Sequence, residues 1–230
     1  MAKLEPGIVK FRGNLGEYNY VKRGDKFYVR RKRGTVKKAT VNEKFQANIA
    51  RNEVVNRTAR PVNDILKDYA GAVREGLSWQ RMLKCLKKCK DDDPETHLAS
   101  LAGLELNLLH KFIGHVTLSP FSIAVEKDHF IVSLDFQSRA KFRSKEKNTY
   151  HYDLIALLWD KKMGITTHDR VTTPWIRRTE KAPSYKLRFN RTKKDKYYLL
   201  AIKLTGAING FSEESVGDMA MMILGGGKLD

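Results

Sequence analysis

A basic and aromatic segment near the amino terminus offers the clearest binding chemistry in the sequence. The stretch YNYVKRGDKFYVRRKRG, residues 18–34, holds seven lysines and arginines and four aromatic rings. Cations neutralise phosphates and aromatic rings stack on bases, so such a segment can grip nucleic acid. It can equally act as an interaction arm, with its rings buried in a partner protein and its charges in solvent or paired with acids. Both alternatives are binding functions.

The residues of this segment alternate as in a β-hairpin. Gly24-Asp25 lies between two alternating runs and indicates a two-residue turn. A turn there places Tyr20 opposite Val29 and Lys22 opposite Phe27. The apolar face that we expect to bind a partner then consists of Tyr18, Tyr20, Phe27 and Val29, and the other face carries Val21, Arg23, Lys26, Tyr28 and Arg30. The cations that we expect to contact nucleic acid or an acidic surface are Lys22, Arg23, Lys26, Arg30, Arg31, Lys32, Arg33, Lys37 and Lys38.

Two cysteines and two histidines have the residue types of a zinc site. Cys85 and Cys89 stand four residues apart on a predicted helix, and His110 and His115 follow. One interpretation is a Cys2His2 site, whose ligands usually come in two compact pairs. The other is a half-buried pair of small apolar thiols, which Leu86 between the cysteines favours. We therefore predict no metal site.

Histidine and aspartate also occur together in two places. His151 and Asp153 alternate on one face of a predicted strand, and His168 precedes Asp169. Neither pair comes with a nucleophile elbow of the form G-x-S-x-G. The sequence has no P-loop or G-x-G-x-x-G, and Gly225–Gly227 follow a strand without a later helix that could cradle a phosphate. We predict no catalytic residue, no cofactor, no small-molecule ligand and no enzymatic activity.

Three regions with different periodicity must position these residues. Residues 1–40 form the predicted basic hairpin arm, residues 41–112 a helical region, and residues 113–230 a β domain. The last region has a period of two and contains seven predicted strands: FSIAVEK, HFIVSLDF, YDLIALLWD, RVTTPWIR, YKLRFN, YYLLAIKLTGAI and MAMMILGG. The predicted fold class is α+β, with an N-terminal β-hairpin arm, a short helical region and a C-terminal antiparallel β-sandwich of the immunoglobulin-like kind.

Local signals refine this division. Asn42 is the predicted cap of the first helix, and Pro61 either divides that helix or bends it. Asp93-Pro94 is a cap followed by a proline at the first helical position. Met219–Leu224 is interpreted as a strand that packs in the core, although its methionines would also suit an adaptable interface.

Charge and hydropathy restrict the partners. The net charge is +18, and residues 1–44 alone contribute +9, so the front of the chain is expected to meet a polyanion. No run of about 18 apolar residues is present, which argues against a membrane-spanning segment. The opening MAKLEPGIVKF lacks the apolar stretch of a secretory signal, and two cysteines suit a reducing compartment.

The order of these elements resembles a family of uncharacterised bacterial proteins common in the Bacteroidetes lineage. The resemblance lies in the opening GIVKFRGNLGEYNYVKRGDKFYVRR, the charged helical segment NEKFQANIARNEVVNRTARPVNDIL and the closing YYLLAIKLTGAINGFSEESVGDMAMMIL. It implies an N-terminal hairpin, a helical middle and a sandwich end. It implies no known activity and no catalytic residue, and this chain is far more basic than the family pattern.

The resemblance suggests a concrete function by analogy. Proteins of this build would suit tailed phages of such bacteria, in which small basic proteins form rings and collars at the head–tail junction. We therefore expect a structural virion protein near the portal or tail, present in the virion and the host cytoplasm. Its partners would be further copies in a homo-oligomeric ring or array and other assembly proteins, with possible DNA contact and no membrane. The alternative is a nucleic-acid-binding protein that contacts phosphates through its basic N-terminal half.

Overall fold

A computed structural model describes residues 2–3, 13–23, 25–32, 42–89, 93–212 and 216–229, with the backbone alone at Ala2, Lys3 and Arg23. The chain divides into two compact units, residues 1–49 and residues 50–230. The architecture is mixed α+β, with an N-terminal sheet, a helical region and C-terminal antiparallel sheets, as predicted. The division into three regions stays a prediction, and the boundary between the two units lies within the first helix.

The N-terminal unit contains a four-stranded antiparallel sheet. Its strands are β1 (Ala2–Lys3), β2 (Gly13–Leu15), β3 (Tyr18–Arg23) and β4 (Lys26–Arg31), in the spatial order β1-β4-β3-β2. Arg23 pairs with Lys26, so the connection between β3 and β4 has two residues. Tyr20 pairs with Val29, and the predicted register is confirmed. The predicted hairpin thus forms the middle of a larger sheet.

The helices begin where capping residues are found. Asn42 accepts a hydrogen bond from the Phe45 backbone N–H at 2.9 Å, and Asp93 accepts one from Thr96 at 2.9 Å, as predicted. Pro61 lies inside a single helix of 28 residues and does not divide it. The helices are α1 (Glu43–Ala70), α2 (Ser78–Leu86), α3 (Pro94–Ala99) and α4 (Phe112–His115), with a 3-10 turn at Gly71–Val73. None of the described helices is long and apolar enough to cross a membrane.

The remaining strands form two antiparallel sheets. They are β5 (Ser122–Val125), β6 (His129–Asp135), β7 (Thr149–Trp159), β8 (Ile165–Thr172), β9 (Ile176–Arg177), β10 (Ser184–Asn190), β11 (Tyr197–Ala207) and β12 (Met219–Lys228). One sheet has the order β12-β11-β7-β8 with β9 also beside β7, and the other has the order β10-β6-β5. Every predicted strand sequence falls on a strand, and RVTTPWIR covers the end of β8 and all of β9.

The sheet that contains β7 and β11 is the middle layer of the C-terminal unit. Leu154 and Leu158 on β7 pack in one core with residues of β6 and β10. Ile155, Leu157 and Trp159 point to the opposite side and pack in a second core with α1, α2 and α3. Strands buried on both faces are apolar throughout, and YDLIALLWD carries that signal. The helical layer was not predicted to cover this sheet.

Glycines in β12 allow the helical layer and the neighbouring strand to come close. Gly225–Gly227 lie inside β12 and pair with β11. The prediction that these glycines follow a strand was therefore wrong. A Cβ added at Gly226 would lie 2.9 Å from Leu98 Cβ and 2.9 Å from the Tyr198 carbonyl oxygen. These glycines therefore serve packing within the sheet and against α3.

Candidate functional site

The four predicted partner-binding residues lie on one face of the N-terminal sheet. Because directly paired residues point to the same side, the register places Tyr18, Tyr20, Phe27 and Val29 together. Tyr18 is 43% exposed and the other three are half-buried. We call these four residues the arm surface.

Two predicted phosphate-contacting residues share the face of the arm surface. Lys22 pairs with Phe27, and Arg31 pairs with Tyr18. The Lys22 ammonium lies 5.7 Å from the centroid of the Phe27 ring, within the range of a cation–π contact. The face is therefore apolar with cations interspersed, and not purely apolar as the sequence suggested.

The opposite face of the same sheet is also mixed. Val21 and Tyr28 on this face are half-buried, and Lys26 and Arg30 are exposed. The backbone of Arg23 places it on this face as well. Rings and cations are thus available on both sides of the hairpin. Of the other predicted cations, Lys32 follows β4 and is half-buried, whereas Arg33, Lys37 and Lys38 lie outside the described residues.

One exposed ion pair joins the two ends of the hairpin. Arg31 Nε lies 3.8 Å from Glu17 Oε2, and the two side chains are 73% and 60% exposed. The Lys32 backbone N–H donates to the Glu17 carbonyl oxygen at 2.6 Å. Because exposed ion pairs contribute little to stability, the backbone contact is the stronger constraint on the hairpin end.

The start of α1 adds two exposed apolar side chains to the N-terminal unit. Phe45 is 56% exposed and Ile49 is 42% exposed, and their spacing of four places them on the same side of the helix. The buried residues of this helix begin only at Val55. No described residue of positions 1–49 is classed as buried.

The cysteines are free and half-buried. Cys89 Sγ lies 3.8 Å from the Thr96 carbonyl oxygen and 4.0 Å from the Cys85 carbonyl oxygen, distances that suit weak S–H donation. Within the described ranges, no group of histidines, cysteines and carboxylates is arranged to hold a metal ion. The Cys89 thiol thus contacts α3, and Cys85 packs against the core that the helices cover.

His151 and Asp153 lie side by side on β7. His151 Nε2 is 3.6 Å from Asp153 Oδ2, and the Thr172 hydroxyl donates to Asp153 Oδ1 at 2.5 Å. Burial alone would raise the pKa of Asp153, but the neighbouring His151 and Thr172 hold it below its ordinary value. The Trp175 ring packs edge-on against His151 at 4.2 Å between centroids. The Asp153 carboxylate is thus held in place on the sheet by contacts with His151 and Thr172.

The second histidine–aspartate pair and the terminal methionines have structural partners. His168 Nδ1 lies 2.9 Å from the Tyr69 hydroxyl at the end of α1. Met219 and Met221 are buried against the helices, and Met222 is buried in the other core. Packing in the core, the preferred interpretation of the last strand, agrees with this placement.

Comparisons with known proteins give no further lead. No protein-family model, no curated protein and no solved structure matches the chain. The resemblance to the bacterial family therefore stays a resemblance of short motifs.

Proposed function

We propose that this protein is a non-enzymatic structural component of a large assembly and that its N-terminal sheet docks onto neighbouring subunits. The observation that carries this proposal is the incomplete burial of the arm surface. Tyr18 is 43% exposed, and Tyr20 and Phe27 are half-buried. Aromatic side chains dominate interface energetics because each buries a large apolar area. Docking on a partner would remove this area from water.

The C-terminal unit would provide the rigid body of such a subunit. Its middle sheet is buried on both faces, so this unit has its own cores. Three further parts of the proposal rest on the resemblance to the bacterial family. The C-terminal unit would be an immunoglobulin-like sandwich, and the protein would form a homo-oligomeric ring or array near the portal or tail of a tailed phage. It would be located in the virion or the host cytoplasm. Other assembly proteins would be further partners.

Size-exclusion chromatography with light scattering tests the arm directly. The double variant Tyr18→Ser/Phe27→Ser removes two rings of the arm surface and is expected to shift the protein to smaller assemblies. Phe211→Ser is the matched control, because Phe211 is 81% exposed and lies in the C-terminal unit. Identical assembly of the wild type, the double variant and a deletion of residues 1–34 would reject the proposal.

Nucleic-acid binding is the second candidate, and the charge of the N-terminal sheet favours it. Residues 13–32 contain six lysines and arginines against two acids. The exposed Lys26 and Arg30 lie on the same face as the half-buried Tyr28, a combination that suits phosphate contact beside base stacking. Both functions are compatible in one assembly, because a subunit can touch DNA that passes beside it.

Fluorescence anisotropy with a labelled duplex and a labelled single strand tests this candidate. Binding through six or more phosphates would weaken by orders of magnitude between about 50 and 200 mM salt. The variant Lys26→Gln/Arg30→Gln should reduce both affinity and salt dependence. Lys161→Gln/Lys162→Gln is the matched control, since it removes the same charge from exposed positions in the C-terminal unit. Equal affinity of both double variants would reject a role for the N-terminal sheet.

A further inference from the structure

A cationic cavity lies within the C-terminal unit. It has a volume of about 380 Å³, within the range of small-molecule pockets, and it opens between residues 108–115 and residues 141–143. None of its lining residues is acidic, and five are basic: His110, Lys111, His115, Lys141 and Arg143. A concave surface with one sign of charge raises the local concentration of ions of the opposite sign. We call this surface the basic cavity.

Paired hydrogen bonds hold one wall of the basic cavity to the other. The Lys141 backbone N–H donates to the His115 carbonyl oxygen at 2.9 Å, and His115 Nδ1 donates to the Lys141 carbonyl oxygen at 2.5 Å. A carbonyl accepts only, so the proton of the neutral His115 ring is on Nδ1. Within the described residues no hydrogen bond to Nε2 of this ring is found, and His115 is one of the residues that line the cavity.

A buried ring fixes the two cations of the second wall. Phe142 is 7% exposed, its ring centroid is 5.6 Å from that of His115, and it occupies the space in front of Gly206. Lys141 and Arg143 flank this anchor, are exposed and line the cavity. Their backbone is therefore held in place while their long side chains stay free to adjust to a ligand.

The loop before α4 fixes the other wall. The Asn107 side chain is buried, donates to the Val73 carbonyl oxygen at 3.0 Å and accepts from the Leu109 backbone N–H at 2.9 Å. His110 and Lys111 follow directly in the sequence and line the cavity. The wall is thus anchored to the end of the 3-10 turn after α1.

Nearby carboxylates are bound to other groups. Glu105 accepts from the backbone N–H groups of Phe112 at 2.8 Å and Ile113 at 3.2 Å. Asp218 pairs with Lys147 at 3.2 Å. Glu75 pairs with Arg81 at 2.9 Å. None of these acids lines the cavity, although Glu105 interacts electrostatically with Lys111 and Asp218 with His115, so the lining keeps an excess of cations for a ligand.

We propose that the basic cavity binds a phosphate monoester, either a free nucleotide or the terminal phosphate of a nucleic acid strand. A phosphate monoester carries a charge of about −1.5 to −2 at pH 7 and three acceptor oxygens. Lysine ammonium and arginine guanidinium groups supply several donors each, and Arg143 can bind two oxygens at once. The apolar lining residues Leu108 and Leu109 offer a surface for the organic part of the ligand. This inference is independent of the N-terminal sheet.

One glycine makes a steric test possible. Gly114 lines the basic cavity, and a Cβ added there meets no atom within 4 Å. A larger side chain at this position would therefore enter open space and is expected to obstruct the cavity without disturbing the core. The variant Gly114→Leu blocks the site while it leaves every cation in place.

Isothermal titration of the full chain tests the site with matched ligands. The probes are a nucleoside 5′-monophosphate against its nucleoside, and a ten-nucleotide single strand with a 5′-phosphate against the same strand with a 5′-hydroxyl. The matched strand pair cancels the attraction of a chain of net charge +18 for the backbone phosphates that both strands share. We expect a preference of about tenfold for the phosphorylated member of at least one pair.

Variants assign that preference to the basic cavity. Lys141→Gln keeps the backbone bonds to His115, and both it and Gly114→Leu should abolish the preference. Lys161→Gln removes one exposed lysine elsewhere and should leave the preference intact. A preference with the mononucleotide identifies a free nucleotide, and one confined to the strand identifies a strand end. The absence of preference in both pairs, or an equal loss in Lys141→Gln and Lys161→Gln, would overturn the proposal.

Discussion

The two units of this chain use the same side chains in opposite ways. In the C-terminal unit, Phe130 and Phe189 stack at 5.3 Å between centroids and are at most 1% exposed. In the N-terminal unit, Phe27 is half-buried and Tyr18 is 43% exposed. Buried aromatic rings stabilise the fold that contains them, whereas partly exposed rings have apolar area left for a partner. The rings of the C-terminal cores are buried within the fold, whereas the rings of the N-terminal sheet keep the accessible area that the proposed docking would use.

The Lys147–Asp218 ion pair of the C-terminal unit is also less exposed to solvent than the Arg31–Glu17 ion pair of the N-terminal unit. Lys147 and Asp218 lie 3.2 Å apart with side chains that are 7% and 11% exposed. Arg31 and Glu17 lie 3.8 Å apart with side chains that are 73% and 60% exposed. Removal of one partner from a buried pair leaves an uncompensated charge, while solvent and salt screen an exposed pair. The Lys147–Asp218 pair therefore contributes to the internal structure of the C-terminal unit, whereas the charges of Arg31 and Glu17 remain accessible to solvent.

Truncation of one phenylalanine in each unit should produce the largest contrast. Phe130→Ala removes a fully buried ring from the core and should lower the free energy of unfolding by about 3–5 kcal/mol. Phe27→Ala removes a half-buried ring and should cost the C-terminal unit almost nothing, because the two rings lie in different compact units. Denaturant titration followed by tryptophan fluorescence measures this, since all three tryptophans lie in residues 50–230.

The same pair of variants should give the reverse result for association. Phe27→Ala is expected to weaken assembly, and Phe130→Ala should leave it unchanged at temperatures where the variant stays folded. An equal loss of unfolding free energy in both variants would contradict the proposed division into a unit that is stable alone and a sheet that associates.

Glycine substitutions should destabilise both units by smaller amounts, and the physical cause should differ between the units. Gly226→Ala places a Cβ 2.9 Å from Leu98 Cβ, so it should destabilise the C-terminal unit by about 1–3 kcal/mol through overpacking. Gly16 has a φ of +53°, and a Cβ added there meets no atom within 4 Å, so Gly16→Ala should cost about 1–2 kcal/mol through backbone strain. Thermal unfolding measures the first variant, and amide hydrogen exchange in β3 and β4 measures the second.

Asparagine separates the two causes. It tolerates the left-handed backbone region better than alanine does, so Gly16→Asn should be milder than Gly16→Ala. At Gly226 the larger side chain should be worse than alanine. If asparagine were the milder substitution at both glycines, steric contact between β12 and α3 would not be the reason for Gly226.

Features that depend on local chemistry could be predicted from the sequence. The predicted two-residue turn gave the correct register of β3 and β4, and the predicted caps at Asn42 and Asp93 lie at two helix starts. Each depends on residues within a few positions of one another. The strands of the C-terminal unit followed from alternation and turn residues. The apolar set of the arm surface was likewise correct in its grouping.

Features that depend on distant contacts could not be predicted. The helical layer covers β7 because side chains of α1 and α2 pack in one core with Ile155 and Leu157. These two residues follow α1 by about a hundred positions, so no local sequence pattern links them to it. The basic cavity joins His115 and Lys141, which are 26 residues apart and have no common motif. The unbroken apolar run of β7 was the one local signal for a second covering layer.

Acidification should produce the smallest difference between the two units, and it should lower the stability of the C-terminal unit. Burial lowers the pKa of His115 below its ordinary value; His110 and Arg143 act in the same direction, and the Lys141 carbonyl and Asp218 oppose it. The folded state therefore holds fewer protons than the unfolded chain, so stability is present above about pH 6.5 and is lost as the pH falls toward the lowered value. Residues 1–49 contain no histidine, so arm-dependent assembly should be insensitive to that change.

A His115→Gln variant isolates this contribution. Its unfolding temperature should be lower than that of the wild type at pH 7.5, because the contact with the Lys141 carbonyl is altered, but it should fall less between pH 7.5 and pH 5.5. Chromatography at both pH values tests the other half of the comparison, the assembly that depends on the arm surface. The same pH slope in the variant and the wild type would show that His115 does not couple the C-terminal unit to protons. A pH-dependent loss of assembly with an unchanged unfolding temperature would place the sensitive group outside that unit's core.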